Sequence, residues 1–117
     1  MIAALWNNLS ALNAFDKKMQ VMSNNVANVN TNGFKKSQAI LREGESGGVK
    51  VDVHQVKTPG YPTEQLEGDN VVETETSNVD LTKEFGESIV TQNAYTANLK
   101  TIKTQEEMLG SLLDIFE

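Results

Sequence analysis

The chain has 117 residues, of which 38% are hydrophobic, and a formal net charge of −6, so we expect one domain with some hydrophobic core rather than a disordered chain. An acidic chain lacks the basic face that phosphate binding requires, which argues against nucleic acid as a partner. The absence of cysteine excludes disulfides and thiolate chemistry, no apolar run has the length of a membrane span, and the N-terminus lacks the pattern of a cleavable signal peptide.

The N-terminal segment carries apolar residues three or four positions apart, which is the spacing of one face of a helix. We predict a helix from about residue 3 to residue 28, about 39 Å long at about 1.5 Å per residue. An ordinary core face would also explain the pattern, but the length favours a more extended structure than a compact domain. The N-terminal stripe consists of Ile2, Leu5, Leu9, Leu12, Phe15, Met19, Met22, Val26 and Val29.

This stripe leads into an asparagine-rich sequence, SNNVANVNTNGFKK, at residues 23–36. Asparagine is a poor helix former because its amide competes for nearby backbone groups. Asn-Gly is a turn signal, so we predict that Asn30 or Asn32 ends the helix in the left-handed conformation and that Gly33 continues the turn. A loop is expected to follow, with Phe34 as its large apolar anchor.

The middle of the chain, residues 35–76, has the pattern of a small β insert. The sequence GESGG (44–48) indicates a flexible turn, and VKVDVHQV (49–56) alternates valine with polar residues as a half-buried strand does. After a turn at TPGYP (58–62), NVVETET (70–76) is a second candidate strand that we expect to pair with the first. An isolated hairpin is only marginally stable, so it should pack on a helix or on another subunit.

The C-terminal segment begins at SNVDL, residues 77–81. Ser77 is predicted as the N-cap of a second helix, with Asp80 as its capping-box partner near the positive helix end. The helix is predicted to continue to about residue 114.

Apolar residues again recur along one face of this second helix. Gln92 and Gln105 interrupt the face, and polar groups at such positions lower stability but fix the register between paired helices. Gly86 lies inside the helix at a cost of about 1 kcal/mol relative to alanine, which indicates a bend or the close approach of another backbone. The C-terminal stripe consists of Leu81, Phe85, Ile89, Tyr95, Leu99, Ile102, Leu109, Leu112 and Phe116.

The expected fold is mainly α with a small β insert. Long N- and C-terminal amphipathic helices form an antiparallel coiled-coil-like pair, with a β-hairpin region between them. The parts are an N-terminal axial helix with its asparagine-rich end (1–34), the insert (35–76) and a C-terminal axial helix (77–117). Two paired helices still leave apolar flanks uncovered, which favours an oligomer, or a filament where the contact does not close.

No catalytic constellation is visible, and we do not expect an enzyme. The single histidine, His54, lies on the polar face of a predicted strand, and one histidine without cysteine is a poor basis for a zinc site. Glu106 and Glu107 are adjacent on a helix and do not face each other. No glycine-rich phosphate loop is present, so neither a cofactor nor a small-molecule substrate is expected.

Both ends of the chain resemble a known family. The sequence MSNNVANVNTNGFKK (22–36) is similar to the N-terminal signature of bacterial flagellar rod and hook proteins, in which an apolar helix enters an asparagine-rich run. The sequence SNVDLTKEFGESIVTQNAYTANLKTIKTQEEMLGSLLDI (77–115) resembles the C-terminal domain of the same family. The two similarities occur in the family's order.

The resemblance implies a structural, axial subunit of the flagellar basal-body rod, whose terminal helices pair as a coiled coil and stack with those of neighbours. Its partners would be further copies, other rod and hook subunits and the type III export apparatus, which exports such proteins into the periplasm-spanning rod without a cleaved signal peptide. The short insert and GGVKVDV (47–53) are most like the proximal rod proteins of the basal-body rod protein C type. The alternative is a helical export chaperone or adaptor that binds one partner through the same stripe.

We expect an assembly interface along both helices and their motifs. We also expect the amides of the asparagine-rich run to bond neighbouring subunits only on assembly, so that changing Asn25 and Asn28 to alanine would spare monomer folding; a simple polar helix end is the alternative. The terminal helices are expected to be partly disordered in the monomer. The interface residues are Leu5, Leu9, Leu12, Phe15, Met19, Met22, Asn24, Asn25, Val26, Asn28, Asn30, Gly33, Phe34, Ser77, Asn78, Asp80, Leu81, Phe85, Ile89, Gln92, Tyr95, Asn98, Leu99, Ile102, Met108, Leu109 and Leu112.

Overall fold

A computed structural model describes residues 2–45 and 47–116, with the side chain of Ile2 and, in the predicted GESGG turn, Ser46 outside the described part. Two long helices at the ends of the chain enclose a region of two β-hairpins, which confirms a mainly helical fold with a small β insert. The elements are α1 (Ile2–Ala27), β1 (Ser37–Glu43), β2 (Val49–Gln55), β3 (Pro62–Glu67), β4 (Asn70–Glu75) and α2 (Leu81–Phe116).

Helix α1 ends within one residue of its predicted boundary, and its last turn closes through the backbone. The amide of Asn28 donates to the carbonyl oxygens of Asn24 and Asn25 at 3.2 and 3.1 Å. Gly33 adopts the left-handed conformation at φ 72°, and no non-glycine residue in the described ranges has a positive φ. The prediction that Asn30 or Asn32 adopts this conformation is therefore wrong, because Gly33, which lacks a Cβ, takes it without steric cost.

The first hairpin joins β1 to β2 and lies on α1. The strands pair antiparallel from Ser37 opposite Gln55 to Glu43 opposite Val49, so the loop expected after Phe34 is instead largely a strand. The turn between them approaches α1 closely: a Cβ on Gly48 would lie 2.5 Å from the Ser10 hydroxyl oxygen. The same hydroxyl accepts the backbone amide of Val49 at 2.9 Å.

The second hairpin joins β3 to β4, which corrects the expected pairing of residues 70–76 with residues 49–56. Its two-residue turn has Gly68 at φ 64° in the first central position and no positive φ in the second, the pattern of a type II′ turn. Closing such a short loop costs little chain entropy, so the local pairing is favoured over the more distant one. In the described chain, β3 and β4 contact each other but no helix and neither strand of the first hairpin.

Helix α2 begins at Leu81, and its N-cap is Asp80 rather than the predicted Ser77. The Asp80 carboxylate accepts the backbone amides of Thr82 and Lys83 at 3.0 and 3.4 Å, which satisfies donors of the first turn. The helix continues to Phe116, two residues beyond the predicted end. Gly86 has no heavy atom within 4 Å of a Cβ built on it, so within the described chain it does not mark a close backbone approach.

The two helices lie side by side and run in opposite directions. Asn25 of α1 contacts Glu84 near the start of α2, whereas Asn8 contacts Gln105 near its end. The molecule measures 80 × 25 × 21 Å and has a radius of gyration of 20.8 Å, against about 13 Å for a compact domain of this length. Neither helix is long and apolar enough to cross a membrane.

The hydrophobic core is small and lies where α1 meets the first hairpin and the start of α2. Its buried apolar members in the described chain are Leu12, Ala14, Met22 and Ala39.

Candidate functional site

Asn25, in the asparagine-rich motif, joins three elements at one point. Its side chain is 1% exposed. The amide nitrogen donates to the Ser37 carbonyl oxygen at 2.8 Å and to the Glu84 carboxylate at 3.1 Å, and the amide oxygen accepts the Ser37 backbone amide at 2.9 Å. Asn25 thus satisfies both backbone groups of Ser37 at the first residue of β1 while holding a buried carboxylate of α2. We call Asn25, Ser37 and Glu84 the junction.

The junction overturns part of the assembly hypothesis for the asparagine-rich run. Asn25 finds its partners inside its own chain, so the expectation that its amide bonds only on assembly is wrong. Asn28 also bonds locally, since its amide nitrogen donates to the Asn24 carbonyl oxygen at 2.9 Å and its amide oxygen accepts the Thr31 hydroxyl at 3.2 Å. Asn24 and Asn30 are exposed and remain candidates for contacts with neighbours.

Asn78, in the SNVDL motif, makes a second polar crossing next to the junction. Its amide nitrogen donates to the carbonyl oxygens of Val56 and Thr58 at 2.8 and 2.9 Å, and its amide oxygen accepts the Lys36 backbone amide at 2.7 Å. Its own backbone amide donates to the Phe34 carbonyl oxygen at 3.3 Å. One side chain therefore joins the segment before β1, the segment after β2 and the approach to α2.

A third polar contact anchors the second hairpin to the end of the asparagine-rich run. The Lys35 ammonium forms a salt bridge with the Glu75 carboxylate, and the Gly33 backbone amide donates to the Glu75 carbonyl oxygen at 2.7 Å. The hydrogen bond from Lys35, and after it the one from the Gly60 amide, holds the pKa of Glu75 below its usual value.

We expect the contact between Lys35 and Glu75 to weaken in acid. A carboxyl group with a lowered pKa in the folded state stabilises the fold fully above its unfolded pKa, about 4.3 for glutamate, and loses that contribution as the pH falls through the folded value. The variant Glu75→Gln should therefore show a smaller loss of stability between about pH 5 and pH 3 than the wild-type chain in urea unfolding followed by circular dichroism. Equal acid sensitivity in the two proteins would contradict this assignment.

The surface of α2 that faces α1 is largely polar and carries two residues of the C-terminal stripe, Tyr95 and Ile102, contrary to the expectation that the whole stripe lies there. Glu84 and Thr91 are buried at 8% and 2% exposure, whereas Phe85 and Ile89 of the stripe are 55% and 61% exposed. The positions of α2 that face α1 are spaced alternately by four and three residues, and we call them the polar seam. They share one side of the helix, which explains why Glu84 and Thr91 are buried. The positions are 84, 88, 91, 95, 98, 102 and 105. Polar residues occupy most of these positions, so the more apolar neighbouring side of α2 is left outward.

Side-chain hydrogen bonds and an ion pair join the two helices along this polar seam. Asn98 donates its amide to the Asn8 carbonyl oxygen at 2.7 Å, and the Asn8 amide donates to the Gln105 side-chain oxygen at 3.3 Å. Nearer the junction, Lys18 forms an ion pair with Glu87 at 3.2 Å. Gln105 thus accepts a hydrogen bond from the other helix, whereas Gln92 is exposed; that these residues set the register stays a prediction.

The predicted interface residues fall into three groups by exposure. Three are buried within the chain: Leu12, Met22 and Asn25. A second group is half-buried: Phe15, Met19, Val26, Asn28, Phe34, Ser77, Asn78, Tyr95, Asn98 and Ile102. The third group is exposed: Leu5, Leu9, Asn24, Asn30, Gly33, Asp80, Leu81, Phe85, Ile89, Gln92, Leu99, Met108, Leu109 and Leu112.

Sequence reasoning missed several large apolar residues that lie exposed off the stripes. Trp6 is 66% exposed near the start of α1, and Val90 is 68% exposed on α2. Near the end of α2, Leu113 and Ile115 are 68% and 76% exposed. Large apolar side chains at positions outside the helical stripe were the available signal, because a solvated helix face would not be expected to carry them.

The described residues show no metal-binding group, and a small cleft lies beside the junction. They contain no group of three or more His, Asp or Glu side chains that could hold a metal ion. The cleft beside the junction has a volume of about 230 Å³ and is bordered by charged side chains such as Lys18 and Glu87 and by apolar ones such as Val21 and Val56. His54 is exposed on the outer side of the first hairpin.

These features define an elongated protein in which two antiparallel helices are joined by polar contacts. Its core is small, and apolar residues are exposed along both helices. Comparison with known proteins agrees with this class. The family model described as flagella basal body rod protein matches residues 5–35, and the model described as flagellar basal body rod FlgEFG protein C-terminal matches residues 73–115. Together the two cover more than half of the 117 residues, and the chain belongs to the family of flagellar basal-body rod and hook proteins.

Individual relatives are similar over shorter stretches. The flagellar basal-body rod protein FlgG of Buchnera aphidicola subsp. Baizongia pistaciae is 45% identical over 60 residues, which is 51% of this chain and 20% of that protein. FlgG of Bacillus subtilis is 42% identical over 43 residues, 37% of this chain and 16% of the relative. The flagellar hook protein FlgE of Escherichia coli is 49% identical over 41 residues, 35% of this chain and 10% of the relative.

The chain thus spans a fifth or less of the length of these relatives. The matched family segments include both Asn25 and Asn78. The narrower expectation, a proximal rod protein of the C type, is not tested by these matches and stays a prediction.

Proposed function

We propose that this chain is a structural subunit of the bacterial flagellar basal-body rod, which assembles through its two terminal helices with neighbouring axial subunits. The observation that carries the proposal is the uncovered apolar surface of both helices in a chain of this family. Phe85 and Ile89 on α2 and Leu5 and Leu9 on α1 are all more than 40% exposed. Fully burying a side chain of this kind contributes about 1.5 to 3 kcal/mol, and roughly half of that remains to be gained where about half of the side chain is already covered.

In this proposal the two helices form a coiled-coil-like pair, and this pair packs against the helices of neighbouring subunits. The seam spacing of four and three residues on α2 supports the pairing. Leu12, Met22, Asn25 and Asn78 serve assembly indirectly, by setting the relative positions of α1, α2 and the first hairpin. The exposed members of the predicted interface are the ones that contact neighbouring subunits.

The proposal extends to location and export. An axial subunit of this kind lies in the periplasm-spanning rod, with further copies and other rod and hook proteins as neighbours, and reaches it through the flagellar type III export apparatus without cleavage of a signal peptide. The short insert supports a proximal position in the rod. Rod and hook proteins are structural, and we propose no enzymatic activity for the chain.

A helical export chaperone or adaptor is the alternative function, and the family matches do not favour it. The two differ in what deletion does. Loss of a rod subunit should arrest the basal body and abolish motility, whereas loss of a chaperone should destabilise a client protein. Normal basal bodies in a deletion strain would contradict the rod proposal.

Association should also increase the helical content of the chain. The core is small and much of each helix is uncovered, so we expect the terminal helices to be partly disordered in dilute solution and to become ordered as copies pack together. Circular dichroism across a concentration series, with sedimentation to assign oligomeric state, measures this. Helicity that stays constant and high down to the monomer would contradict the expectation.

A further inference from the structure

The second hairpin has no packing partner in its own chain. Within the described residues, β3 and β4 contact only each other among the helices and strands, and a lone two-stranded hairpin is marginally stable in water. Loop contacts hold its base, through the salt bridge of Lys35 with Glu75, and reach the middle of β3 on one face, through a hydrogen bond of 3.0 Å from Asn32 to Gln65. The opposite face of the hairpin is exposed beyond its base and is available to another molecule.

One face of this hairpin is acidic and apolar. Directly paired residues of antiparallel strands share a face, and here Glu64 lies opposite Glu73 while Leu66 lies opposite Val71. Leu66 and Val71 are 72% and 61% exposed. Like charges directly opposite each other destabilise a hairpin, so the Glu64–Glu73 pair opposes folding of the isolated hairpin and would be relieved by a cationic partner.

The outer face of the first hairpin has the complementary composition. Arg42 lies opposite Lys50, a like-charged pair of the other sign, and Ile40 lies on the same face. All three are exposed, because the opposite face, which carries the buried Ala39, packs on α1. Asp52 lies on this face as well, opposite Ile40, and pairs with Arg42 at 3.1 Å. Lys50 has no salt bridge within residues 2–45 and 47–116, so it is the cation of this face that is left for an acidic partner.

We propose that the β3–β4 hairpin of one copy docks on the outer face of the β1–β2 hairpin of a second copy. Glu64 and Glu73 then meet Arg42 and Lys50, and Leu66 and Val71 cover Ile40. Within the described part of one chain the two hairpins make no contact, and the complementary charges of their faces favour another copy as the occupant. The contact is head-to-tail, because each copy offers one face of each kind; such contacts form a ring where the rotation between copies closes and a helical filament where it does not. This inference depends on the proposed assembly between copies and adds a contact outside the helices.

Cross-linking tests the contact directly, because the sequence contains no native cysteine. Full-length Lys50→Cys and Glu73→Cys variants, carrying different tags, are mixed and treated with a short bismaleimide reagent. The expected product is a mixed dimer in clear excess over either homodimer. Lys100→Cys, at an exposed position on α2, replaces Lys50→Cys in the matched control and should give little mixed dimer with Glu73→Cys.

Charge reversal provides the second measurement. Glu73→Lys and Lys50→Glu should each weaken self-association by about three- to tenfold in sedimentation equilibrium, and the double variant should restore it. Glu73→Lys also replaces the repulsive cross-strand pair by an attractive one, so it stabilises the hairpin while weakening association, which a purely structural role would not produce.

The outcomes separate this contact from the proposed function. Wild-type association that is unchanged in both single variants, with cross-linking no greater than the control, overturns the hairpin contact and leaves helix packing intact. A wild-type chain that stays monomeric at every accessible concentration overturns both.

Discussion

Replacing Asn25 by alanine is expected to lower the free energy of unfolding by about 2 to 4 kcal/mol, because a buried polar group left without a partner costs about 1 to 3 kcal/mol. The substitution strips the hydrogen bonds from both backbone groups of Ser37 and from the buried carboxylate of Glu84. Ser37 is only half-buried, so water can compensate in part, and the loss stays below the sum of three separate penalties. Urea unfolding of the monomer, followed by circular dichroism, measures the change.

The neighbouring Asn24 offers a matched control. Its side chain is exposed on the same helix turn, and alanine is the better helix former, so Asn24→Ala should change stability by less than about 0.5 kcal/mol. A second variant, Asn25→Asp, places a carboxylate against Glu84 and should unfold more readily at neutral pH than in mild acid, where one of the two groups becomes protonated. Equal stability of Asn25→Ala and Asn24→Ala would show that the junction does not hold the fold.

The second large effect is expected on assembly and not on folding. Phe85→Glu and Ile89→Glu place charges on the outward side of α2, where the side chains are 55% and 61% exposed. Each charge would have to be desolvated against a neighbouring apolar surface, so self-association should fall by about ten- to a hundredfold per substitution. The monomer should lose less than about 0.5 kcal/mol, since glutamate is a good helix former at exposed positions.

Ala97→Glu is the control for charge alone. Ala97 is exposed on the same helix but lies off the C-terminal stripe, so this variant should assemble as the wild type does. The effect in cells is measured as the motility of a deletion strain complemented with each variant. The effect on self-association is measured by sedimentation of the purified chains. Full motility with Phe85→Glu and Ile89→Glu together would contradict the use of this side of α2 as an interface.

Strong periodicity made the two helices predictable from the sequence, whereas the strands of the insert were harder to find. In β1, Ala39, Ile40 and Leu41 form a continuous apolar run, which hides the alternation of a half-buried strand. In β3, Leu66 is the only large aliphatic residue. The two-residue Gly68-Asp69 turn was the available signal for the second hairpin, because glycine followed by aspartate is typical of such loops.

The orientation of α2 could not be obtained from the sequence. An apolar stripe predicts the buried side of a helix only when polar residues lack partners, and here Glu84 is buried because Asn25 binds it across 59 residues of chain. The same reasoning explains the wrong role assigned to Asn25. From the sequence, a polar residue near the end of a helix is interpreted as part of that end. Its hydrogen-bond partners, in this case the backbone groups of Ser37, become visible only in the folded chain.

The polar seam between the helices has a mechanical consequence. An aliphatic interface between two helices can slide by one turn into an equivalent arrangement, since one leucine replaces another. The bond from Asn98 to the Asn8 carbonyl oxygen and the bond from Asn25 to Glu84 each join one specific pair of positions. Sliding by one turn would break both bonds and leave the buried Glu84 carboxylate without Asn25, so we expect the two helices to keep one register along their length.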